Sequence, residues 1–142
     1  MKYDYFIASR WRNRDSVLEL ARKIREKGKT VYCFIEGDGV EHKWRDAKRD
    51  PEEFMQDYES VPDWHKDFTV KEVFHADMNA LKDSEALILL LPAGKSAHIE
   101  AGAAYGMGKR CILIGEQKET ESLYLIFEKF YSSVEDFLGS IG

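Results

Sequence analysis

Hydrophobic residues follow two alternating patterns along this chain. Short, nearly continuous apolar runs are typical of buried strands, and they occur at 2–8, 30–35, 86–91 and 110–114. Apolar residues that recur every three or four positions predict helices at 15–27, 70–81 and 97–107. Near the end the pattern predicts a short helix at 121–128, an extended piece at 130–131 and a last helix beginning at Ser132, with Glu135 completing a capping box.

Strands without a polar face, separated by helices, favour one architecture. Such strands must be covered on both sides, so they belong in a parallel sheet with helices on each face. We therefore expect an α/β fold, a doubly wound parallel sheet of about five strands in three α/β/α layers. The length of 142 residues fits a single domain, 1–142. Ligands of such sheets bind beyond the carboxyl ends of the strands, which singles out the loops 9–14, 36–40, 92–96 and 115–117.

The region 36–66 interrupts this alternation. It contains glycines, prolines and many charges, and it offers only a short helical possibility at 51–58. We interpret it as a loop or lid insert. Its tryptophans, Trp44 and Trp64, are candidate walls for a ligand, because aromatic rings in a polar insert are more typical of a lid than of a core.

Composition excludes several classes of protein. The chain is 44% hydrophobic and 33% charged, with a formal net charge of -5, which is typical of a soluble globular protein and does not favour binding to nucleic acid. No apolar run approaches the roughly 20 residues of a membrane span, and the N-terminus lacks a signal-peptide pattern. We therefore expect a cytoplasmic protein without membrane association. Cys33 and Cys111 lie in apolar runs and are predicted to be reduced core residues.

The segment "PAGKSAH" follows an apolar strand and leads into a helix. Its "GKS" does not belong to a Walker A motif, because position 89 is leucine where that motif needs glycine. A short loop that leads into a helix N-terminus suits an anion, and Lys95 and Ser96 could contact a phosphate there. A solvated turn explains Gly94, Lys95 and Ser96 equally well.

Glu100 is a candidate nucleophile. The pattern places it in the first turn of the predicted helix, where the helix dipole favours an ionised carboxylate. A carboxylate that only stabilises the helix end, without a role in catalysis, would explain such a residue as well. The small residues that follow it, "AGAAYGMG", indicate a close approach: to the sheet, to a neighbouring subunit or to a ligand.

Asp77 is the second carboxylate of interest. On the predicted helix, Val70, Phe74 and Leu81 form one apolar stripe, and Asp77 lies near its centre. A carboxyl group that faces a core must be hydrogen-bonded, paired with a cation, or protonated with a raised pKa. The last state would suit a general acid, whereas an aspartate at the mouth of a site could simply cap a loop.

Three stretches of the chain resemble the nucleoside 2-deoxyribosyltransferase family: "YFIAS", "HADMNALKDSEALILLL" and "GKSAHIEAGAAYGMGKRCILI". The resemblance implies a flavodoxin-like, Rossmann-like fold. It also implies that Glu100 attacks the anomeric carbon of a deoxyribose, that Asp77 assists proton transfer at the base, and that Tyr5 orients the nucleophile. Ser9 and Trp11, in the loop after the first strand, are candidate substrate contacts, as are Gly94, Lys95 and Ser96.

The implied activity is cleavage of the N-glycosidic bond of a nucleoside through a covalent glycosyl-glutamate, with transfer to another base or to water. Neither metal nor cofactor is implied. The similar transferases carry an acidic residue six places before the nucleophile, where this chain has Gly94, and the similar nucleotide hydrolases have a phosphate-binding serine at an offset that Ser96 does not match. The alternatives are a nucleoside 5′-monophosphate N-glycosidase, an enzyme that cleaves NAD, and a nucleotide sensor without turnover.

The terminal segment "LYLIFEKFY" is apolar for its length. It offers more apolar surface than a short segment readily buries under one five-stranded sheet, and such surplus commonly marks an interface. The resemblance also implies homo-oligomers whose sites borrow residues from a neighbour. We expect a homodimer or a higher symmetric oligomer, with the segment folded back on its own domain as the alternative.

Overall fold

The computed structural model describes residues 1–37, 46 and 48–142. Within them the strands are β1 (Tyr3–Ala8), β2 (Val31–Cys33), β3 (Ser84–Leu90), β4 (Arg110–Ile114) and β5 (Lys129–Tyr131). The helices are α1 (Arg14–Glu26), α2 (Pro51–Glu59), α3 (Phe68–Lys82), α4 (Lys95–Gly106) and α5 (Val134–Ser140). Three short 3₁₀ segments cover Trp11–Asn13, Trp64–Lys66 and Ser122–Ile126.

The five strands form one parallel sheet in the order β2-β1-β3-β4-β5. The chain moves outward in one direction from β1 to β2 and in the other from β3 to β5. Helices cover both faces, so the predicted doubly wound α/β fold is confirmed. The order is the flavodoxin-like one, whose switch point lies between β1 and β3.

Two hydrophobic clusters cover the two faces of the sheet. On one face, α1 and α5 contribute residues such as Leu20, Ile24 and Phe137. On the other face, α3 contributes Ala80 and Leu81, and α4 contributes its alanines. Strand residues are buried on both sides, which is why they read as continuous apolar runs in the sequence.

Where the sequence supplies a side chain that can cap a helix, the helix begins directly after that residue. The Asp67 carboxylate accepts a hydrogen bond from the backbone N–H of Val70 at the start of α3. The last helix is capped one residue later than predicted. Ser133, not Ser132, accepts the N–H of the third helical residue, which is Asp136 rather than Glu135. Because Ser132 and Ser133 are adjacent, the sequence allowed either of them to be the capping residue.

The predicted insert at 36–66 is only partly loop. Its second half forms α2, which begins with Pro51 and docks on the segment after β1. Phe54 of α2 stacks on Trp11 with ring centroids 4.2 Å apart, and the Arg12 guanidinium pairs with carboxylates of the same helix. Trp64 is exposed, and Trp44 lies outside the described residues. Residues 51–59 of the insert are therefore a packed helix, where the sequence predicted a short helical possibility at 51–58.

The terminal segment belongs largely to its own sheet. It supplies β5 and the short α5, whose Phe137 is fully buried, and the predicted helix at 121–128 is a 3₁₀ segment instead. Leu123, Leu125 and Phe130 remain exposed. The segment therefore has a packed side and an unpacked side.

Both cysteines are free and buried, as predicted. Burial in apolar surroundings raises the pKa of the Cys33 thiol to about 11, and of Cys111 likewise to about 11. Both are therefore thiols at neutral pH, which makes them poor nucleophiles. Among the described residues, no helix has the length and apolar character needed to cross a membrane.

Candidate functional site

The candidate site lies at the switch point of the sheet. The loop after β1 leads to α1 on one face, and the loop after β3 leads to α4 on the other face. Loops that leave a sheet in opposite directions open a crevice between them. The carboxyl ends of β1 and β3 are therefore the place where a ligand of this fold is expected.

Ser9 forms part of the floor of this crevice. Its buried hydroxyl donates to the carbonyl oxygen of Leu90 at 2.8 Å and lies 3.3 Å from that of Pro92, while the Asn13 side chain donates to it at 3.2 Å. Ser9 ties the loop after β1 to the loop after β3. Its hydroxyl is engaged within the protein, and a contact with substrate stays a prediction.

Gly115 brings the loop after β4 against the same place. Its φ is +118°, and a Cβ at this position would lie 2.8 Å from the Cβ of Leu91. A side chain here would be strained and would also collide with Leu91. Glycine thus allows the loops after β3 and β4 to approach each other closely.

Asp77 lies on the sheet-facing side of α3, half-buried, as its place in the apolar stripe predicted. Its Oδ1 accepts a hydrogen bond from the Tyr32 hydroxyl at 2.9 Å. Tyr32 is one of its partners and holds the carboxylate in one orientation. This hydrogen bond supplies one of the partners that a core-facing carboxyl group needs.

Tyr32 is a site residue that sequence reasoning missed. It lies in the short strand β2, almost fully buried, with its ring stacked on Phe6 at 5.2 Å and edge-on to Tyr3 at 5.5 Å. Packing on two sides leaves the ring little freedom, so its hydroxyl has a fixed position. The only signal in the sequence was a hydroxyl-bearing ring inside an otherwise apolar strand.

The beginning of α4 faces the crevice. Gly94 is the N-cap, and Lys95 and Ser96 follow as the first two helical residues, both exposed. One turn further, His98 joins this end of the helix to its surroundings: Nδ1 lies 2.7 Å from the Gly94 carbonyl oxygen and Nε2 lies 2.6 Å from the Tyr124 hydroxyl. A held helix N-terminus with a neighbouring ammonium group suits an anion.

Glu100 is the sixth residue of α4 and lies in its second turn, not in the first turn as predicted. The helix begins at Lys95, two residues before the predicted start. The direct effect of the helix dipole falls off within the first turn, so it is not the reason for a carboxylate here. Glu100 is half-buried.

The two flanks of α4 face different neighbours. Ala97, Ala101 and Ala104 pack on the sheet. His98 contacts Tyr124, on the β5 side of the helix. Glu100 is two residues beyond His98, a rotation of about 200°, so it lies on the opposite flank, toward α3.

Asp77 and Glu100 lie on neighbouring helices. Both helices pack on the same face of the sheet and contact each other, and both also contact β1. Asp77 lies on the sheet-facing side of α3, and Glu100 lies on the flank of α4 that faces α3. The two carboxylates are therefore on the same face of the sheet, on two helices that are in contact.

Phe74 is exposed, although the sequence placed it in the core stripe of α3. Its side chain is 58% exposed. The helix runs back to the amino end of β3, so its first turns lie toward the carboxyl edge of the sheet. Phe74 lies one turn before Asp77 and about 60° around the helix from it, where a flat ring could contact a base.

Tyr5 and Trp11 do not lie where the sequence-based expectation put them. Tyr5 packs edge-on against Phe137, with centroids 5.6 Å apart, in the cluster formed with α1 and α5. Glu100 is on the other face, so the structure does not support an orienting contact between Tyr5 and Glu100. Trp11 is buried against Phe54 and contributes to packing rather than to an open wall.

Contacts among the described residues do not explain the two glycines of α4. A Cβ added at Gly102 or Gly106 would meet no atom within 4 Å in this part of the chain. Close packing on the sheet, one of the three explanations for this stretch, accounts for Ala101 and Ala104 but not for these glycines. In the described part of the chain, histidine, cysteine and carboxylate side chains form no group of three that could hold a metal ion.

Comparisons by sequence and by structure give different results. A scan against protein-family models finds no match, and neither does a search of curated proteins. Solved structures do match. One is the 2-deoxyribosyltransferase of the psychrotolerant bacterium Bacillus psychrosaccharolyticus, with a TM-score of 0.65 and 16% identity over 96% of this chain and 94% of that one.

The second similar structure is the CMP N-glycosidase BcmB of Clostridium botulinum. It gives a TM-score of 0.58 and 18% identity, and 96% of each chain is covered. At such identities the likeness shows the fold. Over nearly its whole length, this chain has the fold of a 2-deoxyribosyltransferase and of a CMP N-glycosidase.

Proposed function

We propose that this protein is an enzyme that cleaves the N-glycosidic bond of a nucleoside or nucleotide, with Glu100 as nucleophile and Asp77 as proton donor and acceptor. The observation that carries the proposal is that α3 and α4 pack side by side on one face of the sheet, with Asp77 on the sheet-facing side of α3 and Glu100 on the flank of α4 toward α3. The likeness of the fold to two enzymes that act on such bonds supports the same reading.

The reaction needs two displacements at one carbon. A carboxylate oxygen of Glu100 forms a bond to C1′ while the bond from C1′ to the base nitrogen breaks, and Asp77 gives a proton to the departing base. Water or a second base then attacks C1′, the ester bond to Glu100 breaks, and Asp77 takes up the proton that the attacking group loses. The hydrogen bond from Tyr32 holds the Asp77 carboxylate in place throughout.

One experiment tests this proposal directly. The protein is incubated with deoxyinosine, deoxyinosine monophosphate or NAD, each with and without free adenine, and the products are separated by chromatography. Release of hypoxanthine supports the proposal, and formation of deoxyadenosine identifies transfer to a base. Saturable binding without release of any base would instead identify a sensor, and release of nicotinamide alone would identify an enzyme that cleaves NAD.

Hydrolysis of a nucleoside 5′-monophosphate is the second candidate function. It is favoured by the N-terminus of α4, where Lys95 and Ser96 are exposed beside the crevice. No carboxylate precedes Glu100 in this loop to help hold a base, since Gly94 stands at that position. Preference for deoxyinosine monophosphate over deoxyinosine, abolished by Lys95→Gln, would distinguish this function from transfer between free nucleosides.

Tyr32→Phe is expected to lower kcat/KM for base release about tenfold. The ring and its stacking on Phe6 are kept, but the hydroxyl that donates to Asp77 is lost. A donated hydrogen bond stabilises the ionised carboxylate, so the limb of the pH–rate profile that depends on Asp77 should move to higher pH.

Tyr3→Phe is the matched control for Tyr32→Phe. Its ring touches that of Tyr32, and its hydroxyl makes no hydrogen bond within the described ranges. The control should keep the wild-type profile. If Tyr32→Phe lowered kcat/KM further in an enzyme that already carries Asp77→Asn, Tyr32 would be acting through some other group.

We propose further that the protein is a symmetric homodimer or a higher homo-oligomer. Leu123 and Leu125, of the 3₁₀ segment before β5, are 73% and 80% exposed. Nearby, the outward side of α4 carries Ile99 and the two open glycines, which would let another backbone approach. Exposed apolar surface of this extent is typical of an interface.

Leu125→Lys is expected to shift the protein toward monomer, because a lysine would have to lose its hydration in the interface. Light scattering after size-exclusion chromatography at micromolar concentration measures the shift. Phe68→Lys, a similar change at an exposed apolar residue of α3, is the control and should keep the wild-type mass. A wild-type protein that is already monomeric at this concentration would contradict the proposal.

A further inference from the structure

A cavity lies at the amino edge of the sheet, on the face covered by α5. Its volume is about 420 Å³, within the range of small-molecule sites. The first residue of β4, Arg110, and the first residue of β5, Lys129, stand at its rim together with Lys29, which precedes β2. The candidate catalytic cleft opens at the other edge of the sheet and on the other face.

The charges around this cavity are mainly positive. Three of its lining residues are basic and none is acidic. Arg110 also pairs with Glu128, which is half-exposed, through a 2.7 Å contact. The nearby Asp4 carboxylate is engaged with the backbone N–H and hydroxyl of Thr30. An anion in the cavity would therefore meet a net positive surface.

Tyr5 lines the cavity with an unused donor. The residue is only 7% exposed, yet in the part of the chain that the structure describes its hydroxyl makes no hydrogen bond. Burial raises the pKa of Tyr5, while Arg110 acts in the opposite direction. The phenol is therefore protonated at neutral pH and can donate. The hydroxyl oxygen is not among the buried, unpartnered side-chain atoms of the described residues, so it opens onto the cavity, where a ligand or water can reach it.

The floor of the cavity is formed by partly exposed apolar side chains. Tyr131 and Ile141 line it, the Tyr131 ring stands edge-on to Phe137 at 5.6 Å, and the almost fully buried Phe137 and Ile112 lie behind them. This floor adjoins the basic rim, so one ligand could place an anionic group at the rim and a ring or a sugar on the floor. The amphipathic lining distinguishes the cavity from a surface patch of lysines.

We propose that this cavity binds a phosphomonoester that carries a small organic group. Its phosphate accepts hydrogen bonds from the Tyr5 hydroxyl and the Arg110 guanidinium, with Lys29 and Lys129 as further positive charges, and its organic part packs on Tyr131 and Ile141. A phosphomonoester carries a charge of about -1.5 to -2 at neutral pH and three acceptor oxygens, which suits a site with three cationic side chains and a hydroxyl donor. This site is independent of the proposed catalytic function.

Phenyl phosphate is a suitable probe, because it combines the anion with a flat ring and is not a nucleoside. A titration followed by amide NMR should shift the signals of Lys29, Arg110 and Lys129. Inorganic phosphate should shift the same signals with weaker affinity, and phenol should not shift them. If the shifts were confined to residues 94–96, or absent at millimolar probe, the proposed site would not exist.

Three variants test how much individual side chains contribute to binding. Tyr5→Phe keeps the ring against Phe137 and removes the donor, so Kd for phenyl phosphate should rise about tenfold. Lys129→Gln, an exposed change that should not affect folding, should also weaken binding, and the effect should shrink as salt is added. Lys27→Gln removes a charge close by but outside the cavity and should bind as wild type. Equal affinity of all three variants would overturn the proposal.

Discussion

Replacement of Glu100 by glutamine is expected to abolish base release, with a fall in kcat of at least about 10⁴-fold. The amide has the shape of the carboxylate, but it is a poor nucleophile and cannot form the ester to C1′ on which the proposed reaction depends. Glu72→Gln, at an exposed position of α3, is the matched control and should retain wild-type turnover. Thermal unfolding of both variants shows whether the fold is kept.

The covalent step can be tested separately from turnover. A nucleoside analogue with fluorine at C2′ slows both displacements by destabilising positive charge at C1′, so a glycosyl-enzyme should accumulate and increase the mass of the peptide that contains Glu100. The Glu100→Gln protein should show no such increase. Wild-type turnover in Glu100→Gln would remove the nucleophile assignment, whereas lost turnover without any adduct in wild type would leave Glu100 as an electrostatic stabiliser.

The fold could be predicted because the apolar patterns of its strands and helices involve only residues that are close in the sequence. Strands buried on both faces must be apolar throughout, and helices that cover a sheet must carry an apolar stripe. Asp77 was found by this rule, since a carboxylate inside such a stripe stands out. Phe74 departs from this rule, because its side chain is 58% exposed although the periodicity places it in the stripe.

Tyr5 was expected at Glu100 from the resemblance alone. Its side chain alternates regularly with the residues that follow it in β1: Tyr5 and Ile7 pack with α1 and α5, and Phe6 and Ala8 pack with α3 and α4. Because Tyr5 is two residues before Ile7, it lies on the face of the sheet opposite Glu100. The resemblance did not take this alternation into account.

Glu100 and Tyr32 escaped full prediction for different reasons. The cap of α4 is Gly94, which offers no side-chain oxygen, so nothing in the sequence marks the true start of the helix and Glu100 was placed one turn too early. In the sequence, Tyr32 cannot be distinguished from an aromatic residue of the core. Its importance lies in a hydrogen bond to Asp77, 45 residues away, and such a contact becomes visible only once the sheet is assembled.

Asp77→Asn is expected to slow base release by about 10² to 10⁴-fold for poor leaving groups and much less for good ones. Asparagine keeps the shape of the side chain and can still accept from the Tyr32 hydroxyl, but it cannot deliver a proton. A base that leaves readily as an anion needs no proton, so its release should be spared. The decisive measurement is kcat/KM over a series of leaving groups, from hypoxanthine to p-nitrophenol. A steeper dependence on leaving-group pKa in the variant identifies Asp77 as the acid. An equal loss across the series would make Asp77 a positioning residue, and the proton would then have to come from another group in the cleft.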